Sequence, residues 1–280
     1  MNSNSKRIPH RGHRRLLTVA FVLSLMLVLA VPASAIVFGE PDGNDHPSVG
    51  SIVWIVPGEG LFQICSGTLI SENVYLTASH CTAILDSLLA DIPGSSMAVT
   101  FDPTISENST FYTGTWHTHP NWLAGNGLSD PNDVAVIVLD ESPGITPSSL
   151  PTEGLLDELK ASGVLKHTRF TVVGYGTVRE TNTTGPHGFL QNMDRNRAEQ
   201  GFNALTKAWL YLPMNQTTGN GGTCYGDSGG PHFIHLNGVE TNIVVSITSL
   251  GDIPCVASDK TYRVDTARAL AFLAQFVTLP

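Results

Sequence analysis

Short apolar stretches recur along the chain between residues 51 and 250, separated by clusters of glycine, proline, asparagine, aspartate and serine. Many alternate with polar residues or are rich in β-branched residues, which favours strands over long helices. The predicted strands are 51–56, 67–71, 74–79, 97–101, 134–139, 170–176, 208–212, 231–236 and 241–250. Many short strands at this spacing indicate an all-β barrel or sandwich.

Two segments, 152–163 and 265–277, have the apolar spacing of helices instead. Asp265 and Thr266 open the second segment, and both are residue types that cap helix N-termini. The stretch 141–154 is rich in proline, serine and glycine, and it is the best candidate for a crossing between two halves of the chain.

The first 35 residues differ from the rest of the chain. A basic start is followed by the apolar run 16–31 and by the small residues Ala33 and Ala35. This three-part pattern is typical of a secretory signal peptide, here 1–35, which is removed from the mature chain. An uncleaved membrane anchor is the alternative, but the run is short for a membrane span and a small-residue site follows it.

The net charge of the chain bears on whether it binds nucleic acids. The chain has 15 Lys and Arg against 24 Asp and Glu, and five of the basic residues lie within 1–35. The predicted mature chain therefore has 10 basic and 24 acidic residues, a net charge of −14. Such a chain is repelled by phosphate backbones, which argues against DNA or RNA as a partner. Its composition, 41% hydrophobic and 14% charged, is that of a globular protein.

The four cysteines are Cys65, Cys81, Cys224 and Cys255. An even number in a secreted chain indicates disulfides, with three pairings open. Zinc is the alternative, but no two of these cysteines have the close spacing of a structural zinc site. We therefore expect disulfides and no metal.

A glycine-rich stretch, GTCYGDSGGP at 222–231, surrounds Ser228. Clusters of this kind are commonly turns, but glycines also let a partner approach the backbone closely. A nucleophilic serine needs a base to take its proton, and an aspartate behind a histidine base orients it. His80 ends the apolar stretch YLTAS and Asp133 opens the stretch VAVIVL, although a strand-end histidine and a capping aspartate are the ordinary interpretations.

Together these stretches match a known pattern. LTASHC resembles LTAAHC, NDVAVIVL resembles NDIALLKL, GDSGGP is a nucleophile loop, and IVFGE resembles the mature start IVGG. From Ile36 to its C-terminus the chain resembles the chymotrypsin/trypsin-like serine peptidase family. The resemblance implies an all-β fold of two six-stranded antiparallel Greek-key β-barrels with a C-terminal α-helix. The barrels would comprise 36–145 and 146–280 of one peptidase domain.

The resemblance also implies a role for each motif residue. Ser228 would be the nucleophile of a secreted serine endopeptidase, and His80 its general base and then general acid. Asp133 would orient His80, and the backbone N–H groups of Gly226 and Ser228 would form the oxyanion hole. This chemistry proceeds through an acyl-enzyme and requires neither a metal nor an organic cofactor.

Two further features follow from the resemblance alone. The implied disulfides are Cys65–Cys81 and Cys224–Cys255. In this family a new N-terminal ammonium, here that of Ile36, pairs with the aspartate beside the nucleophile, here Asp227. Phe38 stands where the family has glycine.

The substrate pocket implied by the resemblance comprises Gly222, Thr223, Ser249, Gly251 and Asp259. Trypsins have aspartate where this chain has Gly222, and the stretch TSLG at 248–251 lacks the histidine of glutamate-specific relatives. A one-residue gap leaves open whether Asp259, which would attract basic side chains, or Lys260, which would favour acidic ones, faces the pocket. We expect a medium or large apolar side chain to be preferred.

Protein or peptide substrates and protein inhibitors are the expected partners of a monomer that has no membrane contact after signal cleavage. A catalytically silent homologue that acts as a binding module is the first alternative, and a general esterase on the same fold is the second. The acidic stretch 102–107 could hold calcium, although a solvated surface loop explains it equally.

We expect signal cleavage after Ala35 to activate the protein directly, because it makes Ile36 the first residue without removal of a separate propeptide. N-terminal sequencing of protein collected from the medium should read IVFG. A secreted chain that begins at any other residue would contradict this expectation.

Overall fold

Antiparallel strands form most of the structure. The computed structural model describes residues 36, 38–124, 129–179 and 188–280, so the predicted signal peptide lies outside the described residues. The strands are β1 (Glu40–Pro41), β2 (Val49–Val56), β3 (Gly60–Leu69), β4 (Val74–Thr77), β5 (Ser96–Thr100), β6 (Gly114–Thr118), β7 (Ala135–Leu139), β8 (Arg169–Gly174), β9 (Val178–Arg179), β10 (Phe189–Leu190), β11 (Asn196–Gly201), β12 (Ala204–Leu205), β13 (Trp209–Pro213), β14 (Pro231–Leu236), β15 (Val239–Gly251) and β16 (Ser258–Arg263).

The strands form two large sheets. The first has six strands in the order β5-β2-β3-β4-β7-β6, and the second has eight in the order β1-β11-β8-β14-β15-β16-β13-β12. The pairings within both sheets are antiparallel, and β9 and β10 form a separate hairpin. The expected all-β fold with two curled antiparallel sheets is confirmed, and the second sheet gains two extra strands, the two-residue β1 and β12.

The helices are short. They are α1 (Ser79–Thr82), α2 (Leu85–Asp91), α3 (Leu155–Ala161) and α4 (Ala267–Leu273), and two 3-10 turns cover Leu165–His167 and Gln216–Thr218. Thr266 caps α4 as the sequence predicts, because its hydroxyl accepts a hydrogen bond from the Ala269 N–H at 3.2 Å. Asp265 instead accepts from the Leu156 N–H at 2.8 Å and so links the start of α3 to the segment before α4. Within the described ranges, no helix is both long and apolar enough to cross a membrane.

The apolar core joins the two sheets. Its main cluster includes Val49 and Leu76 of the first sheet, Val173 and Phe233 of the second, and Leu273 of α4. A smaller cluster lies within the second sheet, around Phe170, Leu210, Ile234 and Val245. Because the main cluster draws on both sheets, its packing sets the relative position of the two sheets and of the loops that emerge between them.

Each predicted strand overlaps an observed one, but three longer strands lack the apolar pattern that predicts a strand. They are β6, β11 (NRAEQG) and β16 (SDKTYR). In β11 and β16 polar side chains are buried with partners: Arg263 of β16 pairs with Asp157 at 2.6 Å, and Gln200 of β11 donates to Asp259 at 3.1 Å. A buried strand of this kind is invisible to a search for apolar runs, since partners that satisfy its polar groups lie far away in sequence. Helix α2 is likewise absent from the sequence prediction.

A network of charged residues, buried except for Glu240, ties the segment before β2 to the second sheet. His46 lies between two carboxylates: its Nδ1 bonds Asp42, and its Nε2 lies 2.8 Å from Glu240 Oε1. Asp42 also accepts from Arg195 Nε at 2.8 Å, and its pKa is held below its usual value by His46 and Arg195 against the effect of burial. Burial alone would lower the pKa of His46, but bonds to Asp42 and Glu240 outweigh it and raise this pKa to about 9.

The His46 network should make stability depend on alkaline pH. The folded pKa of His46 lies above its usual value of 6.5, so its contribution is full below pH 6.5 and is lost as the pH rises through about 9. The His46→Gln variant should be destabilised by about 3 kcal/mol at pH 6 and should lose this dependence. Denaturant unfolding at pH 6, 8 and 10 measures both effects. The control is His167→Gln, which changes an exposed histidine. If the unfolding free energy of His46→Gln fell with pH as steeply as that of the parent, the prediction would be contradicted.

Candidate active site

Strand pairing brings His80 and Asp133 together. His80 lies in α1, three residues after β4 ends, and Asp133 lies two residues before β7 begins. Thr77 at the end of β4 pairs with Ala135 at the start of β7. In an antiparallel pair the end of one strand adjoins the start of the next, so residues 53 positions apart in sequence become neighbours.

Asp133 makes three hydrogen bonds. Its Oδ2 lies 2.9 Å from His80 Nδ1, and its Oδ1 accepts from the His80 backbone N–H at 2.9 Å. The Ser249 hydroxyl also donates to Oδ2. Burial favours a higher pKa for Asp133, but the His80 charge and the bonds from His80 and Ser249 outweigh it and lower this pKa. The residue therefore remains a carboxylate that holds the His80 ring.

Ser228 lies in a loop packed against the first sheet. Its carbonyl accepts from the Ser66 N–H of β3 at 2.8 Å. Gly229 follows with φ +79°, and a Cβ there would lie 2.2 Å from Thr77 Oγ1, so only glycine fits. Ser228 thus lies near the end of β4, from which α1 and His80 follow.

His80 and Ser228 share a common neighbour. Cys81 Sγ lies 3.7 Å from His80 Nε2 and 3.6 Å from the Ser228 carbonyl oxygen. Among the hydrogen bonds of the described residues, none joins the Ser228 hydroxyl to His80. Such bonds are often long in proteins without substrate and tighten in the substrate complex.

Two disulfides brace this region. Cys65 joins Cys81, with Cα atoms 6.2 Å apart, and Cys224 joins Cys255, with Cα atoms 5.4 Å apart. These are the pairs that the family resemblance implies. The first connects β3 to α1 beside His80, and the second connects the loop of Ser228 to the turn between β15 and β16.

The backbone of the Ser228 loop offers two free donors. Within the described part of the chain, neither the Gly226 N–H nor the Ser228 N–H donates a hydrogen bond. The neighbouring Asp227 N–H, by contrast, donates to the Cys224 carbonyl at 3.1 Å. Two unused N–H groups that flank one turn can bind an oxygen that acquires negative charge.

Asp227 is a fully buried carboxylate behind this turn. It accepts from the Gly176 N–H at 2.7 Å and from the Cys224 N–H at 2.9 Å. Cβ atoms at Gly174 and Gly176 would lie 2.2 Å and 2.4 Å from its oxygens, so both glycines make room for it. Burial raises the pKa of Asp227 to about 7, against the lowering effect of the two N–H bonds and with a further rise from the charge of Asp259.

Ile36 is also buried, with Val172 and Ala198. In the full-length chain it follows a peptide bond and has no ammonium group. Among the described residues no cation forms an ion pair with Asp227. The pairing of Ile36 with Asp227 therefore stays a prediction about the cleaved chain.

A cavity of about 230 Å³ opens beside Ser228. Of the five residues predicted for the substrate pocket, Thr223, Ser249 and Gly251 line it, and Gly222 and Asp259 do not. Gly222 is buried behind the wall, and a Cβ there would lie 2.2 Å from the side chain of Met214. The remaining lining residues are Cys224, Tyr225, Thr248, Leu250, Asp252, Ile253 and Cys255.

Asp259 and Lys260 lie on opposite faces of β16, and Asp259 is the one whose side chain points into the protein interior. Asp259 pairs with Gly251, and its carboxylate is fully buried, 3.1 Å from both His232 Nε2 and Gln200 Nε2. Lys260 points the opposite way, with its ammonium 3.9 Å from the centre of the Trp209 ring. Asp259 is therefore a buried partner of other polar groups behind the cavity.

A family model described as Trypsin matches residues 41–270, most of the chain. The chain belongs to the trypsin family. Its sequence is also similar to those of individual proteins. It is 28% identical to the thrombin-like enzyme saxthrombin of Gloydius intermedius over 247 residues, which are 85% of each chain. It is also 28% identical to a trypsin of Saccharopolyspora erythraea over 222 residues, which cover 77% of this chain and 87% of the relative.

A solved structure agrees with the trypsin-family fold. HL collagenase superposes with a TM-score of 0.62 at 17% identity, covering 87% of this chain and all of the other. At this identity the likeness concerns the fold alone.

Three contacts at the site are absent from the sequence prediction. They are the bond from Ser249 to Asp133 and the bonds from Gln63 and Ser66 to the Gly226 carbonyl. Each links residues more than 100 positions apart in sequence. Short-range sequence patterns carry no signal for such contacts.

Asp227 should destabilise the uncleaved chain at neutral pH. Its folded pKa of about 7 lies above its usual value of 3.8, so its contribution is full below pH 3.8 and is lost as the pH rises through about 7. We therefore expect the melting temperature of full-length Ser228→Ala protein to fall between pH 4.5 and 7.5. Adding Asp227→Asn should flatten this fall, whereas adding Asp45→Asn at an exposed position should not. Equal slopes in the two double variants would refute the prediction.

Proposed function

We propose that the chain is a secreted serine endopeptidase. The observation that carries the proposal is the His80–Asp133 pair at 2.9 Å, beside a glycine-rich loop that presents Ser228 and two free N–H groups. Membership of the trypsin family supports the assignment, since relatives of this chain are named as trypsin and as venom proteases.

The residues support an acyl-transfer mechanism. The Ser228 hydroxyl attacks the scissile carbonyl while His80 Nε2 takes its proton, and Asp133 stabilises the imidazolium through Nδ1. The Gly226 and Ser228 N–H groups bind the oxyanion of the tetrahedral intermediate. His80 then returns the proton to the leaving amine. Water hydrolyses the acyl-enzyme by the same steps, with His80 again as base.

Activation would follow signal cleavage before Ile36. A buried carboxylate without a cationic partner is costly, and Asp227 has two N–H donors but no cation among the residues described. A free ammonium at Ile36 would supply that cation and lower the pKa of Asp227. Ile36 is already buried against Val172 in the second sheet.

The cavity beside Ser228 supports a preference for an apolar substrate side chain. Met214 fills the space next to Gly222, so no charge lies at the position where trypsins carry aspartate. Asp252 lines the cavity, but its carboxylate accepts three backbone N–H groups, those of residues 256–258, at 2.7–3.0 Å. Three of the acceptor positions of this carboxylate are therefore already used by the backbone.

Partners and location follow from the same proposal. Protein or peptide chains are the substrates, and protein inhibitors of the same site are the expected partners of a monomer. Two disulfides fit a secreted protein, because cytosolic conditions keep thiols reduced. A catalytically silent binding module is the rival function and would lack reactivity at Ser228.

Labelling with a fluorophosphonate tests the proposal. Secreted protein should gain one adduct by intact mass, on a mass that matches residues 36–280. The Ser228→Ala variant should gain none and lose roughly 10⁶-fold in peptide hydrolysis. A matched control, Ser87→Ala on the exposed face of α2, should label like the parent. A folded, correctly cleaved parent that does not label would favour the binding module.

Profiling with a peptide library tests the specificity. Cleavage should follow medium or large apolar residues. A preference for lysine or arginine would contradict the proposed pocket and would indicate that Asp259 attracts the basic side chain of the substrate.

A further inference from the structure

Two successive peptide groups set the direction of the Gly226 N–H. The first is the peptide between Tyr225 and Gly226, whose carbonyl accepts from the Thr177 N–H at 2.7 Å. In a planar trans peptide the carbonyl and the N–H point in opposite directions. Anchoring the Tyr225 carbonyl on Thr177 therefore turns the Gly226 N–H away from Thr177 and leaves it unused.

The second peptide, between Gly226 and Asp227, is held by two side chains of β3. The Gly226 carbonyl accepts from Gln63 Nε2 at 2.8 Å and from Ser66 Oγ at 3.0 Å. A carbonyl oxygen has two lone pairs, so these two bonds saturate it. Both donors come from the first sheet, whereas Gly226 belongs to the loop that leads into the second.

Gly226 needs such restraint because glycine has the greatest backbone conformational freedom of all residue types. It has φ +96°, a value that side-chain-bearing residues rarely adopt. A Cβ at this position would lie 2.2 Å from Gln63 Oε1, so the close approach of Gln63 is itself possible only with glycine. The same glycine is free to rotate its peptides unless external bonds hold them.

Ser66 is the more central of the two donors. It is fully buried, and its hydroxyl accepts from the Tyr175 N–H at 2.9 Å while donating to Gly226. Its own N–H donates to the Ser228 carbonyl at 2.8 Å. One residue of β3 therefore holds both ends of the segment from Gly226 to Ser228.

We propose that Ser66 and Gln63 are positioning residues of the oxyanion hole. By holding the peptide that follows Gly226 they restrict rotation about this glycine, and so keep its N–H, which the Tyr225–Thr177 bond orients, toward the reacting carbonyl. This inference rests on the proposed peptidase function. Neither side chain touches the reacting atoms. Their contribution lies in keeping one donor pre-oriented, so that no reorganisation is needed when charge develops.

The test uses the secreted protein and two donor-deleting variants, Ser66→Ala and Gln63→Met. Each should lower kcat roughly 10-fold with KM unchanged, less than the ~10²–10³ that follows loss of an oxyanion donor. Because both donors act on one carbonyl, either partly compensates for loss of the other. The double variant should therefore lose more than the product of the two single losses.

A transition-state-like ligand separates positioning from general structural damage. A peptide aldehyde forms a hemiacetal with Ser228 whose oxygen occupies the oxyanion hole, so its affinity should fall by the same factor as kcat. The corresponding peptide amide forms no stable tetrahedral adduct with Ser228 and develops no oxyanion, so it should bind unchanged. Ser48→Ala is the control, since it deletes a buried hydroxyl that bonds Ser148 at 2.9 Å, away from the loop.

The outcomes are distinct. Variants that keep the parent kcat, or that lose aldehyde and amide affinity equally, would overturn the positioning role while leaving the peptidase function intact. The positioning role is equally overturned if Ser48→Ala lowers kcat as much as Ser66→Ala does. A folded, correctly cleaved parent without fluorophosphonate labelling would overturn the peptidase function, and the positioning role with it.

Discussion

The buried carboxylate of Asp227 is the constraint on which the rest of the site depends. A charge in this position must be neutralised or bonded, and here two backbone N–H groups bond it while burial raises its pKa to about 7. Those bonds pull the segment around Gly176 against the Ser228 loop. The glycines at 174 and 176 exist where they do because the carboxylate fills the space that side chains would need.

The candidate active site is assembled across the boundary between the two sheets. His80 and Asp133 come from the first sheet, and Ser228 comes from the loop before β14 of the second. Bonds cross in both directions: Ser249 of β15 donates to Asp133, and Ser66 of β3 donates to Gly226. The shared apolar core keeps the sheets in place, and these polar bonds set the finer geometry at their junction.

Much of the fold follows from local pattern. Alternating apolar stretches mark nine strands, and the Asp265-Thr266 pair marks the start of α4. The polar strands β11 and β16 escape that pattern, because Gln200 and Arg263 are buried against partners far along the chain, Asp259 and Asp157. Local pattern alone assigns such residues to the surface, since the partners that satisfy them are not adjacent in sequence.

The sequence by itself determined the chemistry available to the protein: a serine among glycines, a histidine and an aspartate at strand ends, and cysteines in even number. These are properties of single residues and their immediate neighbours. Tertiary structure decided that Asp259 points inward and Lys260 outward, and that Gln63 and Ser66 reach Gly226. Those outcomes depend on strand register and on contacts between residues far apart in sequence, which only packing of the whole chain creates.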